Sequence, residues 1–327
     1  ELLRDEVATL APTAAERLAA LGSSLATAGR RAREVSHLLA GNTPADLPLA
    51  DTLAALARQL ETSHGLECEL AVDPAFPPPD AVARRWWLGP DARLVDGAPD
   101  AEGADRYLDD VDAGASCYAL TERFDDFLLP SVPIDWTRFA DECTAAYETA
   151  PLAEPLTVMG QGHVDLWLCP GTVDTSVQAT LTEVRPDGHE LRVQSGWHRP
   201  VHREEDPERS DHLRVDYTFA PEHRAALVPG EWVRFRIPFM PVAHVFRAGS
   251  RVRLALSTPG RDQPFWCFDN PVEAGAAHLV GRGGAHASAL VLPAWSGLDH
   301  PEDHPPADAV RGQPARPALT LHNVDVT

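Results

Sequence analysis

The chain has 327 residues, 44% of them hydrophobic, enough for two domains and a sizeable core. Its 28 cationic residues are all arginine, and against 49 carboxylates they leave a net charge of −21 at pH 7. That charge argues against nucleic acid or a membrane surface as partner, and no apolar run approaches the roughly 18 residues of a membrane span. The five cysteines (Cys68, Cys117, Cys143, Cys169 and Cys267) are scattered, with no CxxC pair. They read as reduced thiols of a cytoplasmic protein without a zinc ribbon or disulfide framework. No basic and apolar leader opens the chain. It starts on Glu1 instead of a methionine, so a processed or excised piece is expected.

Aromatic residues divide the sequence: all 22 lie at or beyond Phe76. Residues 1–75 are rich in Ala and Leu, which favours helix. Thr13 and Glu16, following Pro12, form a capping box. Behind it Leu18, Leu21, Leu25, Ala28, Ala32, Val35 and Leu39 recur at alternating three- and four-residue spacing, a heptad seam. Gly41-Asn42-Thr43-Pro44 stops it, and a second short helix carries Leu49, Leu53, Leu56 and Leu60 up to Gly65. The two stripes predict an α-helical hairpin that pairs on itself, on another chain, or on the rest of the protein. Leu66, Cys68, Leu70 and Val72 then alternate as a short strand before Phe76-Pro77-Pro78-Pro79-Asp80 breaks the chain.

Residues 76–155 hold few periodic runs and many acids, and read as an extended, loop-rich connector with one short helix near Trp136. Over residues 156–327 alternation is sustained. Apolar runs occur at Val164/Leu166/Leu168, Val177/Ala179/Leu181, Leu191/Val193, Leu213/Val215/Tyr217/Phe219, Val233/Phe235/Ile237, Val252/Leu254/Leu256 and Ala289 to Leu292. Arg185-Pro186-Asp187-Gly188 is a turn between two of them. The long charged stretch Arg199–Asp211 is a loop, and the tail after Pro293 lies over the surface. The fold expected is mainly β: an antiparallel jelly-roll β-sandwich preceded by the α-helical hairpin segment.

The chemistry-bearing motifs are incomplete. A serine hydrolase needs a G-x-S-x-G elbow to expose its nucleophile. Gly22-Ser23-Ser24-Leu25-Ala26 falls in the heptad helix, and Gly114-Ala115-Ser116-Cys117-Tyr118 lacks the second glycine. His300-Pro301-Glu302-Asp303-His304 would space metal ligands on a helix, but Pro301 and Pro305 forbid one, leaving a solvated tail. Asp110-Val111-Asp112 opens like a calcium loop, yet Gly114 and Thr121 stand at ligand positions. Cys169 reads as a buried strand thiol, and Gly281-Arg282-Gly283-Gly284 lacks the lysine and helix of a phosphate loop. No catalytic, cofactor-binding or metal-ligating residue is therefore assigned, and no cofactor is expected.

Residues from about Arg85 to Arg316 resemble the C-terminal part of the X-prolyl dipeptidyl aminopeptidase and cocaine-esterase-like serine hydrolases. The resemblance rests on Leu181-Thr-Glu-Val-Arg-Pro-Asp187-Gly188 with Gln194-Ser-Gly-Trp-His-Arg199 and Asp174 upstream. It rests also on the strand pair His244-Val-Phe-Arg-Ala-Gly249-Ser-Arg-Val-Arg-Leu254, where Ser250 replaces a frequent histidine, and on Ser288-Ala-Leu-Val-Leu-Pro293. Trp86-Trp-Leu88 and Asp105-Arg-Tyr107 resemble the passage out of the catalytic domain. The resemblance implies a jelly roll that packs on an α/β-hydrolase domain, helps shape its cleft and supplies none of the triad. Trp86, Trp87 and the Arg199–Asp211 loop would face that domain, leaving an apolar patch or one covered by the helices.

Upstream of Trp86, where that family carries its catalytic domain, stands the Ala/Leu segment. It is weakly similar to the dimerisation helices of bacterial sensor histidine kinases at Glu1-Leu-Leu-Arg-Asp-Glu-Val and from Leu49 to Ala75, without the phospho-accepting histidine or an ATP-binding box. The function implied is that of a non-catalytic hydrolase domain, partnered by a catalytic domain or by a second copy through the helices. Two other readings stand beside it: a dimeric β-sandwich binding module, and an independent serine hydrolase whose triad assembles in space among the 14 histidines.

Overall fold

Alternating side chains that place one face on a core pair here into a mainly β architecture. The computed structural model describes residues 78–114, 139–140, 142–261, 268–296, 303–304, 315–320 and 322–326, with positions 58 and 62 standing alone. The chain divides into two units, Glu1–Pro74 and Ala75–Thr327. In the first, Arg58 and Thr62 are helical, and the Thr62 hydroxyl donates to the Arg58 carbonyl at 2.7 Å. The heptad seam, the hairpin it would form, the strand from Leu66 and the helix near Trp136 lie outside the described residues.

Among the described residues the second unit carries fifteen strands in one hydrogen-bonded system. They are β1 Val82–Gly89, β2 Arg93–Val95, β3 Ala104–Leu108, β4 Thr144–Glu148, β5 Leu156–Gly160, β6 His163–Cys169, β7 Val177–Val184 and β8 His189–His198. After a long loop follow β9 Val233–Pro238, β10 Val242–Phe246, β11 Arg251–Ser257, β12 Ala277–Gly281, β13 Ala289–Trp295, β14 Arg316–Pro317 and β15 Val324–Asp325. One run is ordered β14-β8-β7-β11-β4, the other β1-β13-β6-β12-β3-β15, with β9 on β6 and β5 joining β13 to β10. Every strand pair is antiparallel except β2 and β4, which touch in parallel at Arg93 and Glu148.

The core lies between the two runs, as in a β-sandwich. Leu181, Leu254 and Leu256 of one meet Leu166, Leu168, Leu290 and Leu292 of the other in a single apolar cluster. Each such leucine contributes about 2 kcal/mol of burial. Trp86 and Leu88 join the same cluster from β1.

Three expectations are corrected. The stretch 76–155, read as a loop-rich connector, carries β1 to β4, and Tyr147 and Tyr107 are buried in it. β2, β3 and β4 span only three to five residues, too few for a period to show, and β1 runs Arg84-Arg85-Trp86-Trp87 without alternating. The run Leu213/Val215/Tyr217/Phe219 is no strand: among the described residues one isolated bridge, Glu205 to Tyr217, is its only ladder contact. Side chains take its amides instead. Asp211 accepts from the amides of Leu213 and Arg214, the Gln161 amide oxygen from Val215, and Ser210 Oγ from Asp216. Finally, His244 to Leu254 is not a paired hairpin. β10 pairs with β5, while β11 crosses to pair with β7 and β4.

Candidate functional site

The β7–β8 hairpin turns on Arg185-Pro186-Asp187-Gly188, with the Arg185 amide bonded to the His189 carbonyl at 2.8 Å. Gly188 sits at φ +84°, a left-handed conformation that costs glycine nothing. Gly249 (φ +83°) brings the β10–β11 turn against it: a Cβ there would stand 3.0 Å from Pro186. Two of the segments that carry the family resemblance thus meet at one corner.

Glu183 is buried at that corner. Ser250 Oγ donates to its Oε1 at 2.7 Å, His244 Nε2 lies 3.1 Å from its Oε2, and the buried Arg185 guanidinium stands 3.9 Å away. Burial alone would raise the Glu183 pKa. The hydrogen bonds from His244 and Ser250 and the charges of His244 and Arg185 outweigh it and hold the carboxylate below its ordinary range. Serine, histidine and glutamate are the members of a hydrolase triad, but here they are wired differently. A nucleophilic serine points its hydroxyl at the histidine that will take its proton; Ser250 instead donates its hydrogen bond to the carboxylate, and at 0% exposure no substrate reaches it. The cluster locks two turns together.

The segment Gln194-Ser-Gly-Trp-His-Arg199 has its own geometry. Gly196 lies against the β9 end, where a Cβ would come within 2.0 Å of the Pro238 carbonyl. Gly196→Ala should therefore cost about 3 kcal/mol by forcing β8 off β9. Urea melts would check it, and a loss under about 1 kcal/mol would contradict the packing. Arg199, three residues on, forks onto Asp174 at 2.9 and 2.6 Å, and Arg224 reaches the same carboxylate at 3.2 Å. This clasp ties the β6–β7 loop to the long loop before β9, and the bond to Asp174 raises the Arg199 pKa.

Around the clasp the surface turns apolar. Phe219, Val173 and Val228 are 63%, 61% and 53% exposed, in loops joined by the Leu227 amide to Val173 carbonyl bond of 2.9 Å. Phe219 also holds φ +48°, a strained conformation for a bulky residue costing about 1–2 kcal/mol. Beneath it His198 stacks on Tyr217 at 3.9 Å between ring centroids. Tyr217 is pinned at both ends of its hydroxyl, donating to the Arg236 carbonyl and accepting the Arg236 amide. Burial, and the charge of His202 after it, lower the His198 pKa to about 3. Sequence reasoning singled out the Arg199–Asp211 loop but not Phe219, which alternation had placed on a strand face.

Trp86 and Trp87 are not a bare patch. Trp86 points into the core, with the Arg84 guanidinium 4.8 Å over its ring, and Trp87 is half-buried under Arg85 at 5.1 Å. In an antiparallel strand two adjacent residues face opposite ways, so the pair cannot form one surface.

The other flagged positions are structural. Asp110 is an ion-pair partner of Arg261, 2.9 Å from Nη2, and caps the Asp112 amide at 3.1 Å. Cys169 is buried and burial raises its pKa, which leaves the thiol inert. Arg282 of the glycine-rich run pairs with Asp105 at 3.3 Å and Asp325 at 2.5 Å. His304 is not fully solvated: its Nδ1 lies 3.8 Å from Glu183 Oε1, so the tail returns to the buried corner. Ser23, Ser24 and Ser116 lie outside the described residues, and no group of three potential metal ligands occurs among those that are described.

The family of X-Pro dipeptidyl-peptidase C-terminal non-catalytic domains matches residues 54–290. A protein of Mycobacterium bovis, provisionally named a serine esterase, is 29% identical over 221 residues, which are 66% of this chain and 34% of that one. A counterpart from Mycobacterium tuberculosis has the same figures. The chain thus spans about a third of the length of the curated relatives it matches. Among solved structures, a CocE/NonD family hydrolase from Staphylococcus aureus superposes with a TM-score of 0.53 at 17% identity, covering 70% of this chain and 39% of that one. An aminopeptidase from a marine sediment archaeon does so with a TM-score of 0.50 at 21% identity, covering 68% and 38%. These two likenesses concern the fold. The family match takes in the β7–β8 hairpin with its buried glutamate and the glycine–arginine segment behind it, and the chain belongs to the X-Pro dipeptidyl-peptidase C-terminal non-catalytic domain family.

Proposed function

We propose that this chain is the jelly-roll accessory part of a serine peptidase or esterase, packing on an α/β-hydrolase catalytic domain and helping to shape its substrate cleft. The observation that carries the reading is the family match over residues 54–290, in a chain that covers only 34% of its serine-esterase-like relative. Two features support it. Ser250 and Glu183 are buried, His244 is half-buried, and the set is wired for structure. The clasp end presents Phe219, Val173 and Val228 on loops held by Arg199, Arg224 and Asp174, a fixed apolar surface fit for a neighbouring domain.

A chimera tests the reading. Residues 78–327 would replace the matching region of the Mycobacterium bovis relative, and aryl-ester hydrolysis would be compared with that relative cut short before the region. The chimera should be active and the truncated form inactive, and Phe219→Asp in the chimera should lower activity about tenfold by placing a charge in the interface. A folded, monodisperse chimera no more active than the truncated form would refute the proposal.

A further inference from the structure

Where the two runs of strands meet through β2 and β4, they flank a half-open cavity of about 420 Å³ lined by Arg93, Arg251 and Arg253. Three guanidinium groups share one near carboxylate. Glu148 lies 2.9 Å from Arg253, 3.6 Å from Arg251 and 4.0 Å from Arg93. Arg253 is flanked by two carboxylates, for Glu190 stands 3.0 Å from its other terminal nitrogen, and Arg316 in turn neutralises Glu190 at 3.2 Å. The other two are not. Arg251 donates to the Thr149 carbonyl at 3.1 Å, and the nearest carboxylate to Arg93 among the described residues is Glu148, at 4.0 Å. A guanidinium carries five donors, so both keep N–H groups to spare beside the cavity.

The charge of the lining has the opposite sign to that of the whole chain. Three arginines against Glu148 and Asp91 leave one positive charge, inside a protein whose net charge is −21. The remaining wall is partly apolar, with Val184 and Leu319 among its residues. Asp91 and Ala92, which shape its rim, both hold φ +56°, a conformation that a β-turn rarely asks of an alanine. The volume is that of a small-molecule site.

We infer that this cavity binds a single carboxylate on a small apolar body, with Arg93 and Arg251 gripping the carboxylate and the Val184–Leu319 wall covering the rest. One negative charge balances the site, and the planar guanidinium fork matches a carboxylate. A free organic acid and the C-terminus of a peptide share this chemistry. The inference does not depend on the hydrolase reading, since it concerns residues away from the clasp end.

The test is calorimetric titration of the full chain with hexanoate and with neutral hexanamide. Hexanoate should bind saturably below about 20 mM and hexanamide should not. Arg93→Ala with Arg251→Ala should weaken hexanoate at least about tenfold. Those side chains are 50% and 31% exposed, so the fold should survive, and unchanged thermal unfolding would confirm that. Salt should weaken binding in the unmodified chain, a readout independent of any variant. A tripeptide tighter than hexanoate, and silent as its C-terminal amide, would identify a peptide terminus as the source; hexanoate tighter than the tripeptide would identify a free acid. No saturable hexanoate binding, equal affinity for hexanamide, tighter binding of inorganic phosphate, or full affinity in the double variant would each overturn the inference.

Discussion

Glu183→Ala should destabilise the sandwich by about 3–5 kcal/mol, the loss expected when one member of a buried charged network is removed. The substitution strands the Ser250 hydroxyl, which is fully buried, and takes the carboxylate from His244 and from the buried Arg185. It also unlocks the corner where the Gly188 and Gly249 turns meet. Asp187→Ala, one turn away and half exposed, is the control: its partner is His189 at 3.2 Å, and it should cost no more than about 1 kcal/mol. Urea denaturation of both variants measures the difference. Equal, small losses would mean that the corner holds nothing together.

Stability should fall by about 4 kcal/mol between pH 8 and pH 5, about 2 kcal/mol from each of two histidines held neutral by burial. His163 is pushed down to about 4 and His198 to about 3, in both cases chiefly by burial. His163 donates from Nδ1 to the Leu213 carbonyl at 3.1 Å, and His198 is stacked on Tyr217. Unfolded, each would take a proton near pH 6.5; folded, each resists until pH 4 or below. The unfolded state therefore binds more protons across that window, and stability declines as pH drops through it. Carboxylates do not blur the window. Asp110, Asp165 and Glu183 have lowered pKa values, so the stability they add is present above the ordinary carboxylate range and is lost only below it. His198→Phe should keep the stack and remove about half of the slope between pH 6.5 and 5. A stability constant from pH 8 to 5 would contradict the burial of both rings.

The strands that sequence revealed are those with clear apolar patterning: β6, β7, β8, β9 and β11 alternate, and β13 is a continuous apolar run. Their turn was legible too, because proline and glycine at Arg185-Pro186-Asp187-Gly188 dictate backbone angles without reference to the rest of the chain. Phe219 went astray because alternation records which side chains are buried, not what satisfies the amides. Leu213, Val215 and Tyr217 are indeed buried, yet Asp211, Ser210 and Gln161 take the hydrogen bonds a ladder would have used. The arginine-lined cavity was invisible for another reason. Arg93, Glu148 and Arg251 are distant in sequence and meet only through pairing of β2 with β4 and of β4 with β11. Glu183 was legible as part of a motif, but its role as acceptor for Ser250 and His244 required the crossing of β10 and β11 to separate sheet neighbours.

The proposed accessory role predicts that no serine of this chain is activated as a nucleophile. A fluorophosphonate probe tests this directly, since it labels only a serine activated by a base. The full chain, incubated with the probe and examined by intact mass, should show no adduct and should not accelerate aryl-ester or X-Pro-anilide hydrolysis. Stoichiometric labelling of one serine, abolished when that serine becomes alanine, would contradict the account.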